Sequence, residues 1–198
     1  MNTTSEHAIH TILVGQSGGP TAAINASLAG VVRAAHAHGL RVLGMRNGIQ
    51  GFLEGKVVDL TEALELTVSE PEVPNQAATN PCEKNLQLLR KTPSSWLGSC
   101  RFKLPDLETE LAATSEPMAT SPIYQQIDAQ LKKYQVDAIL YIGGNDSMDT
   151  TDKLSRYFDQ VKSPVRVVGV PKTIDNDLEG TDHTPGFGSA ARFVASVT

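Results

Sequence analysis

At 198 residues, 40% apolar and 20% charged, the chain is long enough for one sizeable core and has the composition of a folded globular protein, not a disordered one. Its formal net charge of −5 argues against a general nucleic-acid binder, which needs a basic surface to replace released counterions, so any phosphate ligand has to be held by local groups. Cys82 and Cys100 lie in no metal-type spacing, no charged start leads into an apolar signal core, and no apolar run approaches the ~18 residues of a membrane span, so the simplest reading is a reduced, cytoplasmic protein.

Residues 9–15, IHTILVG, predict a short strand that runs into the glycine loop QSGGP, after which Ile24, Leu28, Val31 and Val32 recur at helical spacing. Residues 40–45, LRVLGM, predict a second strand, so these elements form a βαβ unit, and Gly48, Gly51 and Gly55 then read as a glycine-spaced loop. From Thr67 to Asn80 the pattern is poor and includes Pro71 and Pro74, which reads as a surface excursion within one domain. Ile123, Ile127 and Leu131 mark a helical stripe, and residues 136–142, VDAILYI, form a nearly unbroken apolar run typical of a central parallel strand. Leu154, Tyr157, Phe158 and Val161 continue a following helix, and residues 165–170, VRVVGV, repeat the strand pattern. Strands alternating with helices imply an α/β fold, doubly wound, with a mostly parallel sheet, right-handed crossovers and helices on both faces. No internal repeat is present.

Ligands in open α/β sheets bind beyond the carboxyl ends of the strands, and three loops placed there carry unusual chemistry. In the first, Gly15 to Gly19, absent side chains let backbone N–H groups and the positive end of the next helix approach an anion, although tight packing alone would also select glycine. Its spacing matches neither GxGxxG nor GxxxxGK[ST], which disfavours a dinucleotide fingerprint or a Walker loop. The second loop is Gly143-Gly144-Asn145-Asp146-Ser147, whose polar residues suit a turn or helix cap as well as a ligand. The third, residues 169–190, places Lys172, Thr173, Asp175, Asn176 and Asp177 directly after an apolar strand and then reaches His183, Gly186 and Gly188. Two carboxylates two residues apart can serve as a base and a metal-side ligand, with a lysine beside them to stabilise transferred negative charge; solvated turn residues are the competing reading.

Taken together, GGPTAAIN, LRKTPSSWLGSCRFK (89–103), GGNDS and PKTIDND resemble the phosphofructokinase family, most closely its pyrophosphate-dependent branch, over nearly the whole chain. PKTIDND is the most specific of these motifs. The resemblance implies a phosphofructokinase-like lobe over residues 1–198 that transfers a phosphoryl group to the 1-hydroxyl of fructose 6-phosphate, a step of glycolysis. By the same resemblance Asp175 would be the base that takes the sugar hydroxyl's proton, and Thr173 would help position the sugar. Arg101 would contact the moving phosphoryl group, and Gly18 and Gly19 would cradle the donor. ATP-using relatives resemble GGDGS and PGTIDND, with glycine where this chain has Asp146 and Lys172, so bulk and charge at Asp146 would exclude a nucleotide while Lys172 attracts the compact pyrophosphate.

Magnesium is the cofactor the resemblance implies, with Asn145, Asp146 and Asp177 as candidate ligands. Asn145 stands where the family often has a magnesium-associated aspartate, and its amide oxygen can bind a hard cation without adding charge. The final helix, starting near Gly188, reaches the last residue at FVASVT, from which the resemblance implies a chain truncated at its C-terminus and a homo-oligomer when complete. Expected partners are fructose 6-phosphate and pyrophosphate, with neither nucleic acid nor membrane. Two other readings remain at this point, a non-catalytic phosphate-binding or regulatory lobe and an ATP-dependent phosphofructokinase; an oxidoreductase is disfavoured by the missing GxGxxG.

Overall fold

The computed structural model describes residues 8–65, 81–106 and 121–198. The surface excursion expected over residues 67–80 lies outside them.

A five-stranded sheet organises the molecule, in the order β3-β2-β1-β4-β5. Strands β1 (Thr11–Gln16), β2 (Arg41–Met45), β4 (Ala138–Gly143) and β5 (Arg166–Pro171) run parallel, and the short β3 (Val57–Asp59) pairs antiparallel with β2 at one edge. The mostly parallel α/β sheet expected from the alternating pattern is therefore present. The chain builds outward from β1 to β2 and β3, then returns to place β4 and β5 on the other side of β1. That reversal makes the gap beyond the carboxyl ends of β1 and β4 the topological switch point, where open α/β sheets bind ligands.

Alternation along the buried strands divides the core into two layers. From β1, Ile12 and Val14 face one layer, where Ile24, Leu28 and Val32 of α1 (Ala22–Ala37) pack with Leu86 and Leu89 of α4 (Pro81–Lys91). Leu13 faces the other, with Tyr124, Ile127 and Leu131 of α5 (Pro122–Tyr134) and Leu154, Tyr157 and Phe158 of α6 (Asn145–Gln160). Burial of both faces explains why residues 136–142 read as an apolar run instead of an alternating strand. Leu13→Ala, at a fully buried site on this central strand, is expected to cost about 2–5 kcal/mol, read as a lower urea midpoint at unchanged slope.

Three local expectations change. The stretch read as a glycine loop contains a six-residue helix, α2 (Gly48–Leu53), because Ile49 and Phe52, three residues apart, both bury their side chains in the second layer. The helix on β4's carboxyl side begins at Asn145, well before its first large apolar residue, since Ser147, Thr150 and Lys153 occupy the buried face of its first turns. Finally, β5 repeats the apolar composition of β4 but is an edge strand, with Val168 48% exposed. Two short elements, β3 and α3 (Leu60–Ala63), had no counterpart in the sequence pattern, and α4 was not expected as a helix. The last helix, α7 (Phe187–Val197), starts within one residue of the expected Gly188.

Candidate active site

Three adjacent parallel strands deliver the three loops to one place. Gln16 ends β1, Gly143 ends β4 and Pro171 ends β5, so the segments that follow converge on a cleft of about 460 Å³. Ser17, Gly18 and Gly19 line it from the first loop, Gly144 to Ser147 from the second and Lys172 from the third, while residues Cys100 to Lys103 form the opposite wall. Of the expected site residues, Gly18, Gly19, Arg101, Asn145, Asp146 and Lys172 thus meet in one cleft. Among the described residues three cations, Arg101, Lys103 and Lys172, face it against the single carboxylate of Asp146, although the chain as a whole is acidic.

Lys172 differs from the other cations. It is only 4% exposed, and no hydrogen-bond or ion-pair partner for its ammonium occurs among the described residues. Burial alone pushes its pKa below the ordinary lysine range. A Cβ built on Gly18 would lie 3.6 Å from Nζ, and Gly18 has φ +75°, a conformation that favours glycine. The ammonium is consequently held against the backbone of the first loop, desolvated and without a counter-charge.

The close approach at Gly143-Gly144 has an internal cause. A Cβ on Gly143 would overlap the Ser147 side chain and come within 3.2 Å of the Ser17 carbonyl oxygen, so Gly143 lets β1 and the start of α6 pack together. Gly144 is more open, and as N-cap it leaves α6 without a side-chain cap, so the amino end of the helix faces the cleft with its first amides available to an anion.

Thr173, Asp175 and Asp177 are not among the residues lining the cleft. They continue from Lys172 along its rim. Thr173 is fixed by its N–H to Pro185 O at 3.0 Å and by Thr184 Oγ1 donating to Thr173 O at 3.1 Å. The Asp175 N–H donates to Thr173 Oγ1 at 3.0 Å, and the exposed Asp175 carboxylate accepts a long contact from the same hydroxyl at 3.5 Å. Asp177 connects the rim to the cleft, accepting from Asn145 Nδ2 at 3.2 Å. Hydrogen bonds from Asn145 and Thr173 hold its carboxyl below the usual carboxylate range.

Among the described residues no group of three His, Cys, Asp or Glu side chains is placed to hold a metal ion by itself. A small hard cation that keeps waters and bridges substrate phosphates needs only one or two carboxylates. Asp146 in the cleft and Asp177 at its rim, the latter bonded by the Asn145 amide, fit that smaller requirement.

The phosphofructokinase family model matches residues 11–198. The chain belongs to the phosphofructokinase family. A pyrophosphate–fructose 6-phosphate 1-phosphotransferase of Xanthomonas campestris pv. campestris is 39% identical over 184 residues, covering 93% of this chain and 37% of that protein. The enzyme of the same name from Halomonas elongata is 34% identical and covers 96% of this chain and 40% of its own length. The crystal structure of a pyrophosphate-dependent phosphofructokinase from Nitrosospira multiformis superposes with a TM-score of 0.72 at 35% identity, over 96% of this chain and 40% of that one. The chain therefore spans about two fifths of the length of these phosphofructokinases.

Several residues of this phosphofructokinase-family cleft were not picked out from the sequence. Ser17 and Phe102 line it, and Ser99 Oγ donates to Gly18 O at 2.6 Å, joining the first loop to the opposite wall. Their only signal in the sequence is that they lie in or beside the quoted motifs, because Ser99 and Gly18 are 81 positions apart and meet only in the fold.

Proposed function

We propose that this chain is the donor-binding and catalytic lobe of an enzyme that moves a phosphoryl group from pyrophosphate to the 1-hydroxyl of fructose 6-phosphate. The observation that carries the reading is Lys172, a buried and unpaired ammonium aimed at a glycine loop, in a cleft that also presents Arg101 and Lys103. Such an arrangement is unfavourable when empty and is relieved by a compact polyanion. The names of the similar enzymes supply the two substrates.

Phosphoryl transfer asks a protein chiefly for alignment and for neutralisation of charge on the equatorial oxygens. Gly18, Gly19 and the amino end of α6 would hold the donor phosphates by backbone N–H groups, with Lys172 on the transferred group. Arg101 would follow the moving phosphoryl from the opposite wall, where its planar fork suits phosphate oxygens. Asp175, oriented by Thr173, would take the proton of the sugar hydroxyl. Asn145, Asp146 and Asp177 would hold magnesium, which would supply further charge neutralisation when bound. In the same reading the protein is cytoplasmic and homo-oligomeric.

The reading is tested in the full-length protein by a coupled assay with fructose 6-phosphate and either pyrophosphate or ATP. Pyrophosphate is expected to support turnover and ATP little or none. Combining Asp146→Gly with Lys172→Gly removes both the bulk that excludes a nucleotide and the charge that attracts the short donor. The ratio of ATP to pyrophosphate kcat/KM, at fixed magnesium, is expected to rise. An unchanged ratio in a folded double variant would show that these residues do not choose the donor, and absence of turnover in the unmodified protein would favour a non-catalytic phosphate-binding lobe.

A further inference from the structure

The wall that carries Arg101 has no regular structure of its own. Residues 92–106 form neither helix nor strand, so their backbone polar groups have no ladder and must be satisfied elsewhere. Much of that role falls to two buried amides, Gln16 and Asn25, which are 0% and 1% exposed. Gln16 Nε2 donates to Ile24 O and to Asn25 Oδ1, each at 3.0 Å. Its Oε1 accepts from the Leu97 N–H at 2.9 Å and from Ser95 Oγ at 2.8 Å, a hydroxyl whose one proton is shared with Gly98 O, also at 2.8 Å. Asn25 Nδ2 donates to Thr92 O at 2.8 Å and Ser94 O at 2.9 Å, and Oδ1 also accepts from the Trp96 N–H at 3.0 Å. Both amide groups thereby use both N–H bonds and both oxygen lone pairs. Neither can flip without opposing donor to donor.

Their position in the chain gives this network its consequence. Gln16 is the last residue of β1, immediately before the donor loop, and Asn25 lies in the opening turns of the helix that follows it. The segment they grip then crosses to that same loop: Ser17 Oγ donates to Cys100 O at 3.2 Å, and Ser99 Oγ donates to Gly18 O. Arg101 is the next residue. At the far end, Lys153 Nζ donates to Leu104 O at 3.3 Å and the Tyr124 phenol OH donates to Pro105 O at 3.0 Å.

We infer that Gln16 and Asn25 are positioning residues for phosphoryl transfer, an amide clamp that locks the Arg101 wall to the donor loop so that the guanidinium and the donor phosphates keep one geometry. The inference rests on the role given above to Arg101. A core-filling role would need only shape, and apolar side chains would meet it; seven hydrogen bonds, five of them to residues 92–97, instead fix the position of an irregular segment beside the cleft.

The test is a double-mutant cycle in the full-length protein, with Asn25→Ala and Arg101→Met made singly and together. With Arg101 present, Asn25→Ala is expected to lower pyrophosphate-dependent kcat by roughly 10- to 10²-fold, the scale of a small misplacement, with little change in the KM for fructose 6-phosphate. In the Arg101→Met background the same change should lower kcat by less than about twofold, because the group it positions is gone, while the fall in melting temperature is the same in both backgrounds. Ser95→Ala, which removes the hydroxyl shared between Gln16 Oε1 and Gly98 O, repeats the cycle at smaller amplitude and decides the matter if Asn25→Ala does not fold. An equal loss of kcat in both backgrounds, or no loss in either variant, overturns the inference while leaving the proposed reaction intact. If Arg101→Met itself turns over normally, the role of Arg101 and this inference fall together.

Discussion

Asp175→Asn is expected to lower turnover of the full-length protein by about 10²–10⁴-fold, the range for loss of a positioned general base. The substitution nearly preserves volume and keeps an oxygen for the Thr173 hydroxyl, which makes only a long 3.5 Å contact with the carboxylate. The backbone turn should also survive, since it is the Asp175 N–H, not the side chain, that bonds Thr173 Oγ1 at 3.0 Å. Loss of activity should accordingly fall on kcat, with pyrophosphate binding measured by calorimetry close to that of the unmodified protein. Turnover within a few-fold of normal would show that another group takes the proton and that the carboxylate only borders the site.

Lys172→Met should lower pyrophosphate-dependent kcat/KM by about 10²–10³-fold, as expected when one preorganised charge partner of a developing anion is removed. Folding should not suffer. The folded-state pKa of Lys172 is depressed by burial, so the unfolded chain binds the proton more tightly and the buried ammonium costs stability at neutral pH. That cost is relieved as pH rises from the depressed folded pKa towards the ordinary lysine value, and methionine, of similar length, removes it at every pH. The variant should therefore melt no lower than the unmodified protein at neutral pH. The same sign gives a binding signature: pyrophosphate favours the charged lysine, so its affinity should decline as pH rises through the depressed pKa, earlier than a solvated lysine would allow. Lys172→Met should flatten that decline, and a pH profile unaltered by the substitution would place the decisive cation elsewhere.

The sequence by itself determined the four parallel strands, helices α1, α5, α6 and α7 and the three loops, because each rests on local signals: apolar runs bounded by glycine, helical recurrence at Ile24, Leu28 and Val32, and the compact motif PKTIDND. Family membership was legible from the same motifs, and with it the candidate residues. Other features depended on neighbours remote in the chain. Residues 48–53 became a helix because Ile49 and Phe52 found a common pocket beneath the sheet, overriding glycines that favour loops. The edge position of β5 followed from strand order, which its composition does not encode. Most of all, only the tertiary structure decided that Lys172 is desolvated and unpaired, that the Arg101 wall is stitched to the Gly18 loop, and that Gln16 and Asn25 bond one another and residues 92–97. A charge or an amide in a sequence carries no sign of whether water or protein will surround it; burial and partners are fixed when segments some eighty residues apart pack together, and they set both the pKa of Lys172 and the geometry in which a phosphoryl group could move.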